Sequence, residues 1–71
     1  MTEQEAIAVA AKYAREQAWT WLEPVECRRK SRWFQKPVFE IRTNASSRGS
    51  NIVVTVDAID GTIVRANFLP R

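Results

Sequence analysis

Arg28, Arg29, Lys30 and Arg32 stand within five consecutive positions, and Trp33 and Phe34 follow directly. Cations neutralise phosphates and aromatic rings stack on bases, so the segment 28–36 has the composition of a nucleic-acid grip. Other chemistry is scarcer. Asp57 and Asp60 form a carboxylate pair, but Asp-Ala-Ile-Asp-Gly lacks the alternating oxygen ligands of a calcium loop. Asp60-Gly61 is a turn signal in its own right. Cys27 is the single cysteine and there is no histidine. No base therefore stands ready to activate a thiol, or any of Ser46, Ser47 and Ser50, as a nucleophile. A structural zinc needs about four Cys or His ligands, and the chain cannot supply them. Together these absences predict a protein that is not an enzyme and holds no cofactor or metal.

The elements that must position the cations come next. With 71 residues the chain makes one small domain, 1–71, whose core yields only about 3–5 kcal/mol of net stability. No disulfide can form within it, so packing or self-association must supply the rest. The net charge is +3, from 11 Lys and Arg against 8 Asp and Glu. That is far from the strongly basic domains that hold nucleic acid through many phosphates. No apolar run approaches the ~20 residues that cross a bilayer. The N-terminus, Met1-Thr2-Glu3-Gln4-Glu5, is acidic where a secretory signal is basic and then apolar. The expectation is a cytoplasmic protein with no membrane partner.

Thr2-Glu3-Gln4-Glu5 is a capping box. Ile7, Ala10, Ala11, Ala14 and Ala18 then fall on one helical stripe, and Pro24 disfavours helix at Glu23, which predicts a helix over about 3–20. Its buried stripe is mostly alanine, which lets a helix lie close to a flat sheet. Four strands follow, over 25–33, 38–43, 52–57 and 62–69, with an eight-residue polar loop at 44–51. In the closing hairpin a three-residue loop, Ile59-Asp60-Gly61, pairs Ala58 with Thr62, Val56 with Val64, Val54 with Ala66 and Ile52 with Phe68. That register gathers one apolar face and turns Thr55, Arg65, Val53 and Asn67 the other way. Gly61 supplies the left-handed residue such a loop needs. The fold class is α+β, one N-terminal helix packed across a four-stranded antiparallel meander sheet.

The stretches "TEQEAIAVAAKYA" (2–14), "FEI" (39–41) and "VTVDAIDGTIV" (54–64) resemble PepSY-like domains. Those begin with a helix of the form s-x-x-E-A-i-x-x-A and close with a hairpin of the form v-x-v-D-a-x-x-G-x-v. The resemblance implies a helix-on-sheet fold and a binding or inhibitory role without catalysis. It does not include the basic segment 28–36, and PepSY domains are usually extracytoplasmic. The closing hairpin is also similar to that of small bacterial immunity proteins that neutralise toxins.

Position decides how the basic run is read. As the first strand of a meander it lies at a sheet edge, where charges block strand-to-strand aggregation. Alternation sends Arg28, Lys30 and Arg32 to one face and Arg29 and Ser31 to the other, with Glu26 and Glu40 as partners for some of them. Trp19, Trp21 and Trp33 are expected to cover the ends of the sheet, or to offer an exposed anchor. Cys27 faces inward as a small buried hydrophobe. Nothing after the helix is left to cover the outer face, where Glu26, Arg28, Lys30, Glu40, Arg42, Thr55, Arg65 and Asn67 project. These residues predict a non-catalytic protein-binding module, an inhibitor or immunity-type regulator. It would meet an acidic partner, or a second copy, through Arg28, Lys30, Arg32, Trp33, Arg42 and Arg65. The alternative is a small nucleic-acid-binding domain that uses segment 28–36 with Trp33 and Phe34.

Overall fold

In the computed structural model, which describes residues 1–31, 36–47 and 49–69, Thr2 opens the first element through its capping box. Glu5 N donates to Thr2 Oγ1 at 3.1 Å, and Thr2 N donates to Glu5 Oε1 at 2.8 Å. The backbone and hydroxyl of Thr2 hold the Glu5 carboxyl below its ordinary value of 4.5. Helix α1 spans Glu3–Glu16, shorter than the periodicity predicts. Ala18 takes φ 59°, Trp19 N donates to Ala14 O at 2.8 Å, and Ala18 N donates to Arg15 O at 3.1 Å. This is a Schellman ending, usually built on glycine, and its companion contact is present: the Trp19 ring meets the Tyr13 ring edge-on at 5.7 Å. Alanine is the best helix former, so residue type gives no hint of a stop at this position.

Strands β1 (Glu26–Lys30), β2 (Val38–Arg42), β3 (Asn51–Asp57) and β4 (Ile63–Leu69) form one antiparallel sheet in the order β1-β2-β3-β4. The expected first strand, 25–33, is thus shorter at both ends among the described residues; positions 32–35 lie outside them. Helix α1 lies on one face, mainly over β1, β2 and β3. Ala6, Ala10 and Ala14 are fully buried there, against Phe39, Ile41, Ile52, Val54 and Val56. Ala6 was not on the expected stripe, while Ala18, which was, is exposed beyond the helix end. Trp19 stacks on Phe68 at 5.9 Å, and Trp21, Val25 and Cys27 pack against the margin of the same core.

The closing hairpin keeps four of its expected pairs: Ile52 with Phe68, Val53 with Asn67, Val54 with Ala66 and Thr55 with Arg65. Near the turn the register differs. Val56 pairs with Ile63, not Val64, because a bulge between Thr55 and Val56 puts one extra residue into β4. Val64 is consequently 59% exposed, and Ile63 takes the inward place. The loop is wider than three residues. Asp57 N donates to Thr62 O at 2.8 Å and Gly61 N to Asp57 O at 2.9 Å, which leaves 58–61 in the turn with Gly61 at φ 76°.

The loop between β2 and β3 is built on polar side chains. Asn51 is buried, and its Nδ2 donates to Thr43 O at 2.8 Å and Asn44 O at 3.0 Å. Thr43, also buried, accepts from Ile52 N on its hydroxyl at 2.9 Å. Asn44 N and Ala45 N then donate to Leu22 O and Pro24 O, at 2.9 and 3.1 Å, which ties this loop to the connection after the helix.

Two left-handed positions give opposite expectations. A side chain at Gly61 would meet only the flexible end of Met1, so its cost lies in the backbone. Gly61→Val should destabilise by about 1–3 kcal/mol, and Val53→Ala, on the open face, by under about 1 kcal/mol. Ala18→Gly should stabilise by up to about 1 kcal/mol as the strain at the helix end is relieved. Urea unfolding of the three variants checks the order. A Val53→Ala cost equal to that of Gly61→Val would show that the open face is covered.

Candidate functional site

The face of the sheet opposite α1 carries most of the expected site. The register lines up Glu26, Arg42, Val53 and Asn67 in one row across the four strands, and Arg28, Glu40, Thr55 and Arg65 in the next. Because side chains alternate along a strand, each row projects to the same side. Arg28 and Lys30 belong to this face but have partners: Arg28 Nε lies 2.9 Å from Glu26 Oε1, and Lys30 Nζ lies 3.0 Å from Glu40 Oε2. These exposed pairs contribute little stability, about 0–1 kcal/mol each, but they fix where the two positive charges sit. Among the described residues, Arg42 and Arg65 make no ion pair. Arg29 pairs with Phe39 in the register, so it projects to the helix side, at the exposed margin. Arg32, Trp33 and Phe34 lie outside the described residues.

A shallow concavity of about 400 Å³ opens on this face, lined by Lys30, Lys36, Val38, Glu40, Thr55, Val64 and Arg65. Thr55 and Val38 form part of its floor, and Lys30, Lys36 and Arg65 bring three cations against the single carboxylate of Glu40, already held by Lys30. The bulge gives it one wall. The extra residue in β4 leaves Val64 beside Arg65 on the same side, where strict alternation would have separated them. Val64 was expected inward, so sequence pattern misses it. The signal that could have placed Lys36 is its position just before β2, across from the end of β1.

The other candidates for chemistry serve structure. Asp57 Oδ1 accepts from Ile59 N at 2.8 Å and Asp60 N at 3.2 Å, and so shapes the turn. Asp60 Oδ1 accepts from Thr62 N at 2.9 Å and Thr62 Oγ1 at 2.8 Å. Cys27 is half-buried against the core, and burial, with the nearby charge of Glu3, pushes its thiol pKa up, away from a reactive thiolate. Trp19 and Trp21 are half-buried lids on the core rather than exposed anchors. No helix among the described residues is long and apolar enough to cross a membrane.

Comparison with family models, with curated proteins and with solved structures finds no match to this chain.

The turn carboxylates give a pH expectation. The Thr62 N–H and hydroxyl hold Asp60 below its ordinary 3.8, as the Thr2 donors hold Glu5 below 4.5. A carboxyl whose folded pKa is depressed contributes stability above its unfolded pKa and loses it as pH falls through the folded one. Stability should therefore decline on acidification below about 4.5. Thermal unfolding across the acid range should show a shallower decline for Glu5→Gln/Asp60→Asn than for the wild type.

Proposed function

We propose that this chain is a non-catalytic protein-binding module, an inhibitor or immunity-type regulator, that engages an acidic protein surface through the open face of its sheet. The observation that carries the reading is the concavity among Lys30, Lys36, Thr55 and Arg65, with Arg42 in the neighbouring row. The face is flat, polar and uncovered by the helix. Lys30, Arg42 and Arg65 are held on paired strands, so little ordering is needed before they meet carboxylates. Arg42 and Arg65 present planar guanidinium groups that bind carboxylates in a two-pronged geometry. Glu40 is engaged by Lys30, and Asp57 and Asp60 by turn donors. The PepSY-like pattern at residues 2–14, 39–41 and 54–64 supports a binding role of the same kind.

The ion pairs rank the cations. Arg28 and Lys30 must release Glu26 and Glu40 before serving a partner, whereas Arg42 and Arg65 have no such partner among the described residues. Arg42 and Arg65 should therefore matter most. Amide chemical shifts followed during titration with poly-glutamate should move around Arg42, Thr55 and Arg65. Arg42→Glu/Arg65→Glu should weaken binding about tenfold or more, as like charges oppose, while Val53→Ala should leave it unchanged. Stronger binding of random single-stranded DNA, falling steeply with salt and shifting residues 28, 29 and 31 with no change around Arg42 and Arg65, would replace this reading with the nucleic-acid one.

A further inference from the structure

The two edges of the sheet are built differently. β1 is five residues long and four of them are charged: Glu26, Arg28, Arg29 and Lys30. A second strand laid along it would bring like charges together, a recognised guard against edge pairing. β4 is seven residues, Ile-Val-Arg-Ala-Asn-Phe-Leu, and carries one charge, Arg65. Among the described residues it pairs only with β3, so one row of its backbone N–H and C=O groups faces outward with no described strand partner. Val64 and Leu69 are exposed on it, at 59% and 45%.

The core is also thinnest at this margin. Ile52, Val54 and Val56 of β3 are fully buried, yet their partners on β4, namely Phe68, Ala66 and Ile63, are only half-buried. Helix α1 lies mainly over β1 to β3, and the Trp19 ring reaches across to stack on Phe68. Both the backbone and the apolar side of β4 are thus left for something to complete.

We infer that β4 pairs antiparallel with β4 of a second copy of this chain, about a two-fold axis through Asn67, to make one continuous eight-stranded sheet. The bulge fixes the register. It disturbs β4 near Val64, so the regular stretch is 65–69, whose midpoint is Asn67. Antiparallel pairing about that residue sets Asn67 against Asn67 of the second copy, Ala66 against Phe68, and Arg65 against Leu69. Each pair keeps to one face of the sheet, as strand alternation requires. A small side chain meets a large one on the helix side, where Ala66 and Phe68 are half-buried. Two amides, each donor and acceptor, meet on the open face. The two Arg65 side chains lie apart on either side of the axis, so no like charges are opposed. A peptide of another protein could also add to this edge, but the match of residues 65–69 with their own reversal favours the second copy. The paired sheets would join two open faces into one surface carrying Arg42 and Arg65 twice. This inference does not rest on the acidic-partner reading, since it concerns the edge and not the face.

The experiment is sedimentation equilibrium of the full chain and of two variants, Asn67→Lys and Asn67→Asp, with folding checked by circular dichroism. One strand pair is a small interface, so the wild type should dimerise weakly and reversibly with rising concentration. Each variant places like charges on the axis and should weaken dimerisation about tenfold or more. An equimolar mixture of the two should dimerise again, at or above the wild-type level, because Lys then faces Asp. A wild type that stays monomeric up to about 1 mM would overturn the inference. So would a dimer unaffected by both variants, or a mixture that fails to restore what each variant lost. As the variants sit on the exposed margin, a folded wild type alone already decides the first outcome. Poly-glutamate binding by a monomeric wild type would leave the acidic-partner reading standing while this one fails.

Discussion

One helix must cover one face of a four-stranded sheet, and everything else in this molecule follows from how far it reaches. A 14-residue helix is about 21 Å long and about 10 Å wide. Strands spaced about 4.8 Å apart make a sheet broader than that. Ala6, Ala10 and Ala14 bring the helix axis close to the strands, which seals Ile41, Ile52, Val54 and Val56 completely. Close approach has a cost in breadth, since alanine has no side chain to spread over the neighbouring strands. The margins are left to single residues: Ile7, Trp19 and Trp21 from the helical side, Cys27 and Phe68 from the sheet. The helix stops in time for this. The left-handed Ala18 turns the chain so that Trp19 can stack on Phe68 and meet Tyr13 edge-on.

Much of this was legible in the residues. Thr2 and Glu5 mark the helix start because capping is local chemistry, complete within four positions. The pairing of Ile52 to Thr55 with Phe68 to Arg65 could be read because only one register gathers the apolar side chains on one face. The same rule hid the bulge. Parity arguments assume one residue against one, and an extra residue in β4 reverses the parity beyond it, so that Ile63 and not Val64 turns inward. Val64 therefore reads as core by alternation and stands in solvent. The helix end was hidden for another reason: nothing in an alanine announces positive φ. Asn51 was read as loop, although its buried amide organises that loop. Its signal would have been a polar residue at the head of a β-branched run, where a side-chain amide can replace missing strand partners.

The open face follows from the same limited reach. With no second helix among the described residues, the outer side of the sheet has to be compatible with water. Threonine, asparagine, glutamate and arginine meet that requirement while keeping strand geometry. Solvation alone would not concentrate cations there. Of the charged residues on this face, Glu26 and Glu40 are each matched by one neighbour, Arg28 and Lys30. The excess then falls to Lys36, Arg42 and Arg65, of which the two arginines sit in adjacent rows on different strands. A positive surplus on a rigid face carries information about a partner, whereas matched pairs beside it carry little.

The charge on β1 and the bulge on β4 are two answers to one difficulty. A single small sheet ends in two strands whose outward amides have no strand partner among the described residues. At β1, charge is tolerated because the strand lies over the margin of the core: of its two helix-side residues, Cys27 packs against the core and Arg29 stays exposed. At β4 the same answer would fail on the helix side. Its inward residues complete the core beside β3, and Phe68 is needed under Trp19. The strand must stay apolar on that side, so guarding charge can enter only at its open-face positions, of which Arg65 alone carries one. The bulge alters the edge near the turn and leaves residues 65–69 regular. The regular stretch that carries the least guarding charge is therefore also the one whose backbone is most open to another strand.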